Sequence, residues 1–376
     1  MINILYIGNL ASIHDLKWIQ SIKREGETNC FVMSEFSVEE DATQVLNSLN
    51  IKFVGELPPF SLLNWIKNYR TFRLLRNLIN KHSIDLVHVF IGTSQVILPS
   101  FLSVPVVLTT RGTDVNYTLK RLSESNYFRE KVLFKILSSS YRRITQITST
   151  SLTQINIIDC LIPDLKKRPL LIRTGVDIDG VVAARKHDFG VDRKIVLFIR
   201  NIHKNYDPLL SVNAVVALSS KTLKETFFVF MKGANYDEDL FGQMKVILDH
   251  KKVFYSFLDP MSNLQVWSVI KAADLVVMNP LTDGTPNTAI ESMAANKKLI
   301  MGYCDYDKDL FNLKTAVFLP KRSSFLLSDL IEEVLYSKDD SKVENAFLNI
   351  QELASQKREM RKVFELYITI LNEENN

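Results

Sequence analysis

Short apolar runs alternate with longer stretches of mixed polarity from the first residue onward. Residues 2–7, 30–33, 51–54, 86–90, 106–109 and 144–149 are apolar-rich runs of strand length. Residues 13–24, 69–82 and 127–141 instead repeat their apolar positions every three or four residues, the helical period. Strands that lack a polar face are buried on both sides, so the succession predicts a parallel sheet covered by helices on both faces. After the polar, proline-bearing stretch 162–169 the pattern begins again. One more short strand is expected at 170–173 and a polar loop at 185–192. A second series of strands follows at 194–200, 227–231, 253–257, 275–279, 299–301 and 316–319. Residues 343–371 read as a terminal packing helix, with charges set among Leu348, Leu353, Val363, Phe364 and Leu366.

Two such series predict an α/β chain of two Rossmann-like, doubly wound domains facing each other across a cleft, divided between residues 165 and 185. The division is drawn as 1–170, 171–350 and a C-terminal helix 351–376, for which packing back on the first domain is one option. Ligands of such sheets bind beyond the carboxyl ends of the strands, which singles out the segment after 275–279. There the chain reads Leu281-Thr282-Asp283-Gly284-Thr285-Pro286-Asn287-Thr288-Ala289-Ile290-Glu291-Ser292-Met293-Ala294. Pro286 suits the first turn of a helix, and Gly284 allows a sharp turn and close approach of a ligand. The N–H groups of residues 285–288 then form a donor cluster at the positive end of the helix dipole, where a phosphate is favoured. Asp283 before that cluster and Glu291 two turns beyond it are placed to grip opposite ends of an elongated, phosphorylated, hydroxyl-rich ligand. An ordinary N-cap with an exposed Asp and a partly buried Glu is the alternative that the turn alone leaves open.

Composition narrows the class. With 376 residues, 46% hydrophobic and 23% charged, the chain has the make-up of a soluble globular protein with material for two cores. Cys30, Cys160 and Cys304 are too few and too scattered for a disulfide framework or a metal site, so a reducing, cytoplasmic setting is expected. The N-terminus lacks the basic segment and cleavage site of a signal peptide, and the most apolar window, 96–108, is too short and too interrupted to span a bilayer. The formal charge of +4 is unevenly spread: residues 51–150 hold fourteen Lys/Arg against five Asp/Glu, and residues 1–50 hold three against seven. The excess lies on two helical segments, 64–82 and 119–143, where Lys67, Arg70, Arg73, Arg129, Lys131 and Lys135 interleave with Trp65, Tyr69, Phe72, Tyr127, Phe128 and Phe134. Such a pattern fits contact with an anionic membrane surface, or a solvated basic face over a core-facing stripe. No nucleic-acid-binding motif accompanies the charge, so a nucleic-acid partner is not expected.

Taken in order along the chain, several segments resemble a family 4 glycosyltransferase of the GT-B fold. That family carries an acidic residue, seven intervening residues and a Glu, with Gly-Thr-Pro-Asn after the first carboxylate and Glu-Ala-Met-Ala around the second. Asp283-Gly284-Thr285-Pro286-Asn287 and Glu291-Ser292-Met293-Ala294 match it, with Asp283 one methylene shorter than the family's usual Glu. Pro105 to Val115, containing Arg111-Gly112-Thr113-Asp114, resembles the first-domain strand that ends in His-Gly-Ser-Asp. Ile172-Arg173-Thr174-Gly175-Val176-Asp177 resembles the Pro-Asn-Gly-Val-Asp entry to the second domain, and Val196 to Arg200 resembles a strand ending in Gly-Arg.

The resemblance implies a division of labour. Glu291 would accept hydrogen bonds from the two ribose hydroxyls of a nucleotide sugar, and Arg200 would neutralise its diphosphate. Gly284, Thr285, Pro286, Asn287 and Thr288 would form the phosphate cradle, and Asp283 would hold sugar hydroxyls. These contacts would stabilise the leaving diphosphate without a metal or any other cofactor. The family's Lys five residues after the Arg falls at Asn205; Lys204 is one position early, and Tyr206 matches a subgroup with Tyr there. Arg111 replaces the family's His beside the donor sugar, which points to an acidic sugar, an acidic acceptor or a pyrophosphate, with an internal ion pair to Asp114 as the alternative. Gly8-Asn9 replaces a Gly-Gly turn near the donor, and Gly233 is expected to turn the chain near the nucleotide. His14 and Asp15 open the first helix as acceptor contacts or as capping residues, and His203 reads as a surface residue.

The function implied is retaining transfer of a sugar from a nucleotide diphosphate sugar, UDP- or GDP-linked, to a glycan or lipid-linked acceptor bound by the first domain. Front-face attack, with the leaving phosphate taking the acceptor's proton, is the mechanism that the family implies. Assembly of a bacterial surface polysaccharide at the inner face of the plasma membrane is the expected setting. A sugar-nucleotide epimerase or hydrolase of the same fold, and a non-catalytic scaffold, are the alternatives.

Overall fold

The computed structural model describes residues 1–9, 13–35, 46, 49–233 and 235–374, with the side chains of residues 13 and 14 outside the description. The chain forms two compact units, Met1–Thr174 with Gln356–Asn376, and Gly175–Ser355. Each unit is built on one parallel sheet.

In the first unit, β1 (Ile2–Gly8), β2 (Thr28–Ser34), β3 (Ile51–Glu56), β4 (Leu86–Val89), β5 (Val106–Thr110), β6 (Gln146–Ser149) and β7 (Leu170–Leu171) pair in the order β3-β2-β1-β4-β5-β6-β7. Every residue of β4, β5 and β6 is buried, as the near-continuous apolar runs require. One polar seam crosses this core. The fully buried His88 on β4 is bonded through Nδ1 to the Tyr367 hydroxyl and through Nε2 to Thr109 Oγ1 at 2.6 Å, and Thr109 Oγ1 reaches Thr148 Oγ1 at 2.7 Å. Burial, reinforced by the nearby Arg111 cation, holds the His88 pKa well below its ordinary value, so the ring stays neutral.

In the second unit, β8 (Lys194–Phe198), β9 (Thr226–Met231), β10 (Tyr255–Leu258), β11 (Leu275–Met278), β12 (Lys298–Met301) and β13 (Val317–Phe318) pair in the order β10-β9-β8-β11-β12-β13, all parallel. The order reverses between β1 and β4 in one sheet and between β8 and β11 in the other. Those are the switch points beyond which doubly wound sheets bind their ligands.

Several boundaries differ from the sequence reading for local reasons. Residues 119–143 are not one helix: a wide turn at Thr113–Leu119 and a short helix at Lys120–Glu124 precede the helix Phe128–Arg143. Ser125 is extended and its hydroxyl takes the Tyr127 N–H at 3.1 Å, which diverts the backbone from a helical ladder. The strand expected from residue 253 begins at Tyr255, because Lys252 takes φ 54° and Val253 closes the preceding helix by donating its N–H to the Leu248 carbonyl at 3.1 Å. The strand expected at 170–173 stops at Leu171; the Arg173 N–H goes instead to Glu359 Oε2 at 2.7 Å.

The terminal stretch is two helices, Ser341–Leu353 and Gln356–Glu374, parted at Ala354 and Ser355. There the Ala354 carbonyl accepts the Val176 N–H at 2.8 Å. The second of them belongs to the first unit, where Met360, Val363, Tyr367 and Ile370 pack with Ile4, Trp18 and Ile22.

Candidate functional site

In the second unit the exits of β8 and β11 meet. Arg200, two residues beyond β8, donates from Nη2 to Asp283 Oδ2 at 2.8 Å and from Nη1 to Thr288 Oγ1 at 3.2 Å, and its guanidinium lies 4.2 Å from the centre of the Tyr206 ring. Its Nε is buried with no hydrogen-bond partner among the described residues. Burial pushes the Asp283 pKa up; the Arg200 charge and the Gly284 N–H oppose the shift, and the Asp307 charge adds to it. The structure therefore joins the signature carboxylate to the arginine.

The helix after the turn is Asn287–Ala294. Pro286 is its extended cap residue rather than a first-turn residue, and its carbonyl accepts the N–H groups of Ala289 at 3.0 Å and Ile290 at 3.3 Å. Proline contributes no N–H, so the donor cluster is smaller than the sequence reading supposed. The N–H groups of Asn287 and Thr288 have no acceptor among the described residues. They point along the positive end of the dipole, as an anion site requires. Gly284 is buried and does not take a left-handed backbone, so no positive φ calls for the glycine. Glu291, on the second helical turn, is half-buried and accepts the Trp267 indole N–H at 3.1 Å on Oε1. Trp267 lies on the helix Asn263–Ala272 and fixes the rotamer of the carboxylate.

The remaining expected residues divide. Gly233 takes φ 80° and a Cβ there would collide with the Asn201 side chain, which brings the loop after β9 against the exit of β8. Lys204 is exposed on the short turn Lys204–Tyr206 and has no bond to the Arg200 cluster. Tyr206 takes the place beside Arg200, and the Asn205 carbonyl ties the turn to the signature loop by accepting the Leu281 N–H at 2.7 Å. His203 is exposed and caps that turn, its Nδ1 accepting the Asn205 N–H at 3.3 Å.

Arg111 and Gly8 belong to the first unit, at the ends of β5 and β1. Arg111 forms an ion pair with Asp15, not with Asp114, and its guanidinium lies 4.5 Å from the Phe90 ring centre and 5.2 Å from that of Trp18. Asp114 is occupied otherwise, accepting backbone N–H groups of Gly92 and Gly112 at 2.9 Å and of Arg111 and Val115 at 3.1 Å. Asp15 is buried in the first turn of the helix Ile13–Glu25 and takes the Asn9 N–H at 2.7 Å on Oδ2. A Cβ on Gly8 would collide with that carboxylate, so packing against Asp15 accounts for the glycine. The His14 side chain lies outside the described residues.

Residues 3–151 match the family model described as glycosyl transferase 4-like. The whole chain is similar in structure to a glycosyltransferase from Rickettsia africae, with a TM-score of 0.75, 14% identity and 98% of each chain covered. It is also similar to HepE from Anabaena in complex with UDP, with a TM-score of 0.76, 10% identity, and 98% and 100% of the two chains covered. WaaG, a glycosyltransferase involved in lipopolysaccharide biosynthesis, matches with a TM-score of 0.68 and 12% identity over 97% of this chain and 99% of its own. Residues 3–151 are thus glycosyl transferase 4-like, and the whole chain has the GT-B fold. At these identities the structural likenesses carry the fold alone, and the match to the family model lies within the first unit. A search of curated proteins finds no match.

Spacing in the sequence gave no access to several residues that hold the second-unit site. Cys304 holds both backbone groups of Asp283, Asp307 holds Gly284 and Thr285, and Arg322 joins Asp207 at 3.0 Å to the carbonyls of Pro280 and Tyr303. Their one advance signal is topological, since residues 302–307 leave β12, the neighbour of β11. Among the described residues no group of three or more His, Cys, Asp or Glu side chains is arranged to hold a metal ion.

Proposed function

We propose that this glycosyltransferase takes a UDP- or GDP-linked sugar as donor and transfers the sugar, with retention of configuration, to a glycan or lipid-linked acceptor. The observation that carries the reading is the convergence of the Arg200 guanidinium, the signature turn and the open N–H groups of Asn287 and Thr288 on one spot. Cation and helix dipole there meet a diphosphate as it gains charge on leaving. Glu291, oriented by Trp267, takes the ribose. The solved structures of HepE with UDP and with UDP-glucose support a nucleotide-sugar donor. In the reaction the bond from the anomeric carbon to the leaving phosphate oxygen breaks, a bond from that carbon to the acceptor oxygen forms on the same face, and the acceptor's proton passes to the leaving phosphate.

A thermal-shift panel of UDP, GDP, ADP, CMP and dTDP tests the donor site, because a ligand that binds the native state raises its melting temperature. One of the first two is expected to stabilise the protein. Glu291→Ala is expected to weaken that nucleotide by about ten- to a hundredfold, the worth of one charge-assisted hydrogen bond or slightly more. Unchanged affinity removes Glu291 from the site. Complete turnover of the sugar nucleotide without any acceptor favours the hydrolase or epimerase reading.

A lipid-linked acceptor is supported by the first unit's surface. Trp65 is 75% exposed at the start of the helix Trp65–His82, beside exposed Leu63, Tyr69, Arg70 and Arg73. Phe128 is 80% exposed at the start of the helix Phe128–Arg143, beside exposed Tyr127, Arg129 and Lys131. Among the described residues no helix is long and apolar enough to cross a membrane; the contact proposed is peripheral, at the inner face of the plasma membrane. The protein is expected to sediment with phosphatidylglycerol vesicles and not with phosphatidylcholine vesicles, less so as salt rises. Equal binding to both, or to neither, removes the membrane from the reading.

A further inference from the structure

We propose that Asp307 is a positioning residue that sets the signature turn in its diphosphate-binding form, a role that rests on the donor site described above. A turn binds phosphate through N–H groups only if its own acceptors are taken up behind it. Asp307 engages two polar groups of this turn, one acceptor and one donor. Its backbone N–H donates to the Gly284 carbonyl at 3.0 Å, and its Oδ2 accepts the Thr285 hydroxyl at 2.7 Å. Three residues earlier, Cys304 Sγ receives the Asp283 N–H at 3.1 Å and lies 3.5 Å from the Asp283 carbonyl as its donor. Residues 283, 284 and 285 are thus held by a single loop, while the N–H groups of Asn287 and Thr288 have no acceptor among the described residues.

The loop is itself immobilised by the core. The Asp307 carbonyl accepts the N–H groups of Leu310 at 3.1 Å and Phe311 at 2.9 Å, and both side chains are buried in the second unit's core with Tyr306. At the loop's start Gly302 lies so close to Asn279 that no Cβ fits, which sets the exits of β11 and β12 side by side. Asp307 is only 2% exposed. A buried carboxylate facing a diphosphate would repel it, whereas one that faces the back of the turn spends its charge on the Thr285 hydroxyl. Packing of Leu310 and Phe311 is in this way transmitted through one side chain to the backbone that meets the phosphates.

The test compares the diphosphate with the bare nucleoside. Affinities of UDP and uridine, or of GDP and guanosine where the panel selects guanine, are measured for the wild-type protein and for Asp307→Ala, Asp307→Asn and Thr285→Val. Asp307→Ala and Thr285→Val are expected to weaken the diphosphate about tenfold, the scale of one buried hydrogen bond lost, with the nucleoside changed less than about twofold. Asp307→Asn keeps a carbonyl oxygen for the Thr285 hydroxyl and is expected to recover most of the loss. If Asp307→Ala does not fold, Thr285→Val and Asp307→Asn carry the comparison. Equal weakening of diphosphate and nucleoside, or full diphosphate affinity in the variants, overturns the role of Asp307 and leaves the donor site standing. A wild-type protein that binds neither diphosphate overturns both.

Discussion

Arg200→Ala is expected to lower kcat/KM for sugar transfer by about a hundred- to a thousandfold, the range for removing one preorganised donor from a developing anion. The same substitution costs stability for a separate reason. It leaves the Asp283 carboxylate, whose pKa burial already pushes up, without the cation that opposes the shift. Both side chains are less than one-fifth exposed, so the unpaired carboxylate is expected to cost about 1–3 kcal/mol, below the full value for a deeply buried pair. The two effects separate in a double variant. Arg200→Ala with Asp283→Asn removes the orphaned charge and is expected to regain most of the stability in urea unfolding, while transfer stays low. Recovery of transfer in the double variant would place the role of Arg200 in the fold alone. Arg200→Lys keeps the charge but loses the fork that now spans Asp283 and Thr288, and an activity between wild type and alanine is expected.

The fold was legible because its strands are buried on both faces. Runs such as Val106 to Thr109 and Leu275 to Met278 carry almost no polar residue, and only a covered parallel sheet accounts for many of them in alternation with amphipathic helices. The second-unit site was legible as a segment, since a turn and a helix start have local signatures. Its internal bonding was not. That Asp283 holds Arg200 depends on β8 and β11 being neighbours, a pairing between residues 83 positions apart. Asp307 and Cys304 enter because β12 lies beside β11, and nothing in their own neighbourhood marks them. Pro286 illustrates a smaller limit: its fixed φ suits both the cap and the first helical turn, and here ψ, at 121°, decided for the cap. The breaks at Ser125 and at Ala354 arose from one hydroxyl and one distant carbonyl contact, which periodicity does not encode.

The first unit yields the other large effect. Arg111 and Asp15 come from the exit of β5 and the first helix, Ile13–Glu25; neither sequence spacing nor the nearer Asp114 suggested the pair. The side chains are 18% and 3% exposed, and Nε and Nη2 of Arg111 are buried with no hydrogen-bond partner among the described residues. Burial pulls the arginine's pKa down, and Asp15 and Asp114 resist it; the cation is compensated by the Asp15 carboxylate and the faces of Trp18 and Phe90. Asp15→Ala and Arg111→Met are each expected to cost about 3–5 kcal/mol in urea unfolding, because each leaves a buried charge uncompensated. Asp15→Asn combined with Arg111→Met leaves no charge, keeps an acceptor for the Asn9 N–H, and is expected to recover most of that loss. Single variants that cost less than about 1 kcal/mol would show a pair as weak as those on a surface. The recovered double variant then separates structure from selection. If the Arg111 cation recognises an anionic group on the donor sugar or the acceptor, the double variant is stable yet transfers poorly with anionic substrates and normally with neutral ones. If the cation serves only Asp15, transfer is restored together with stability.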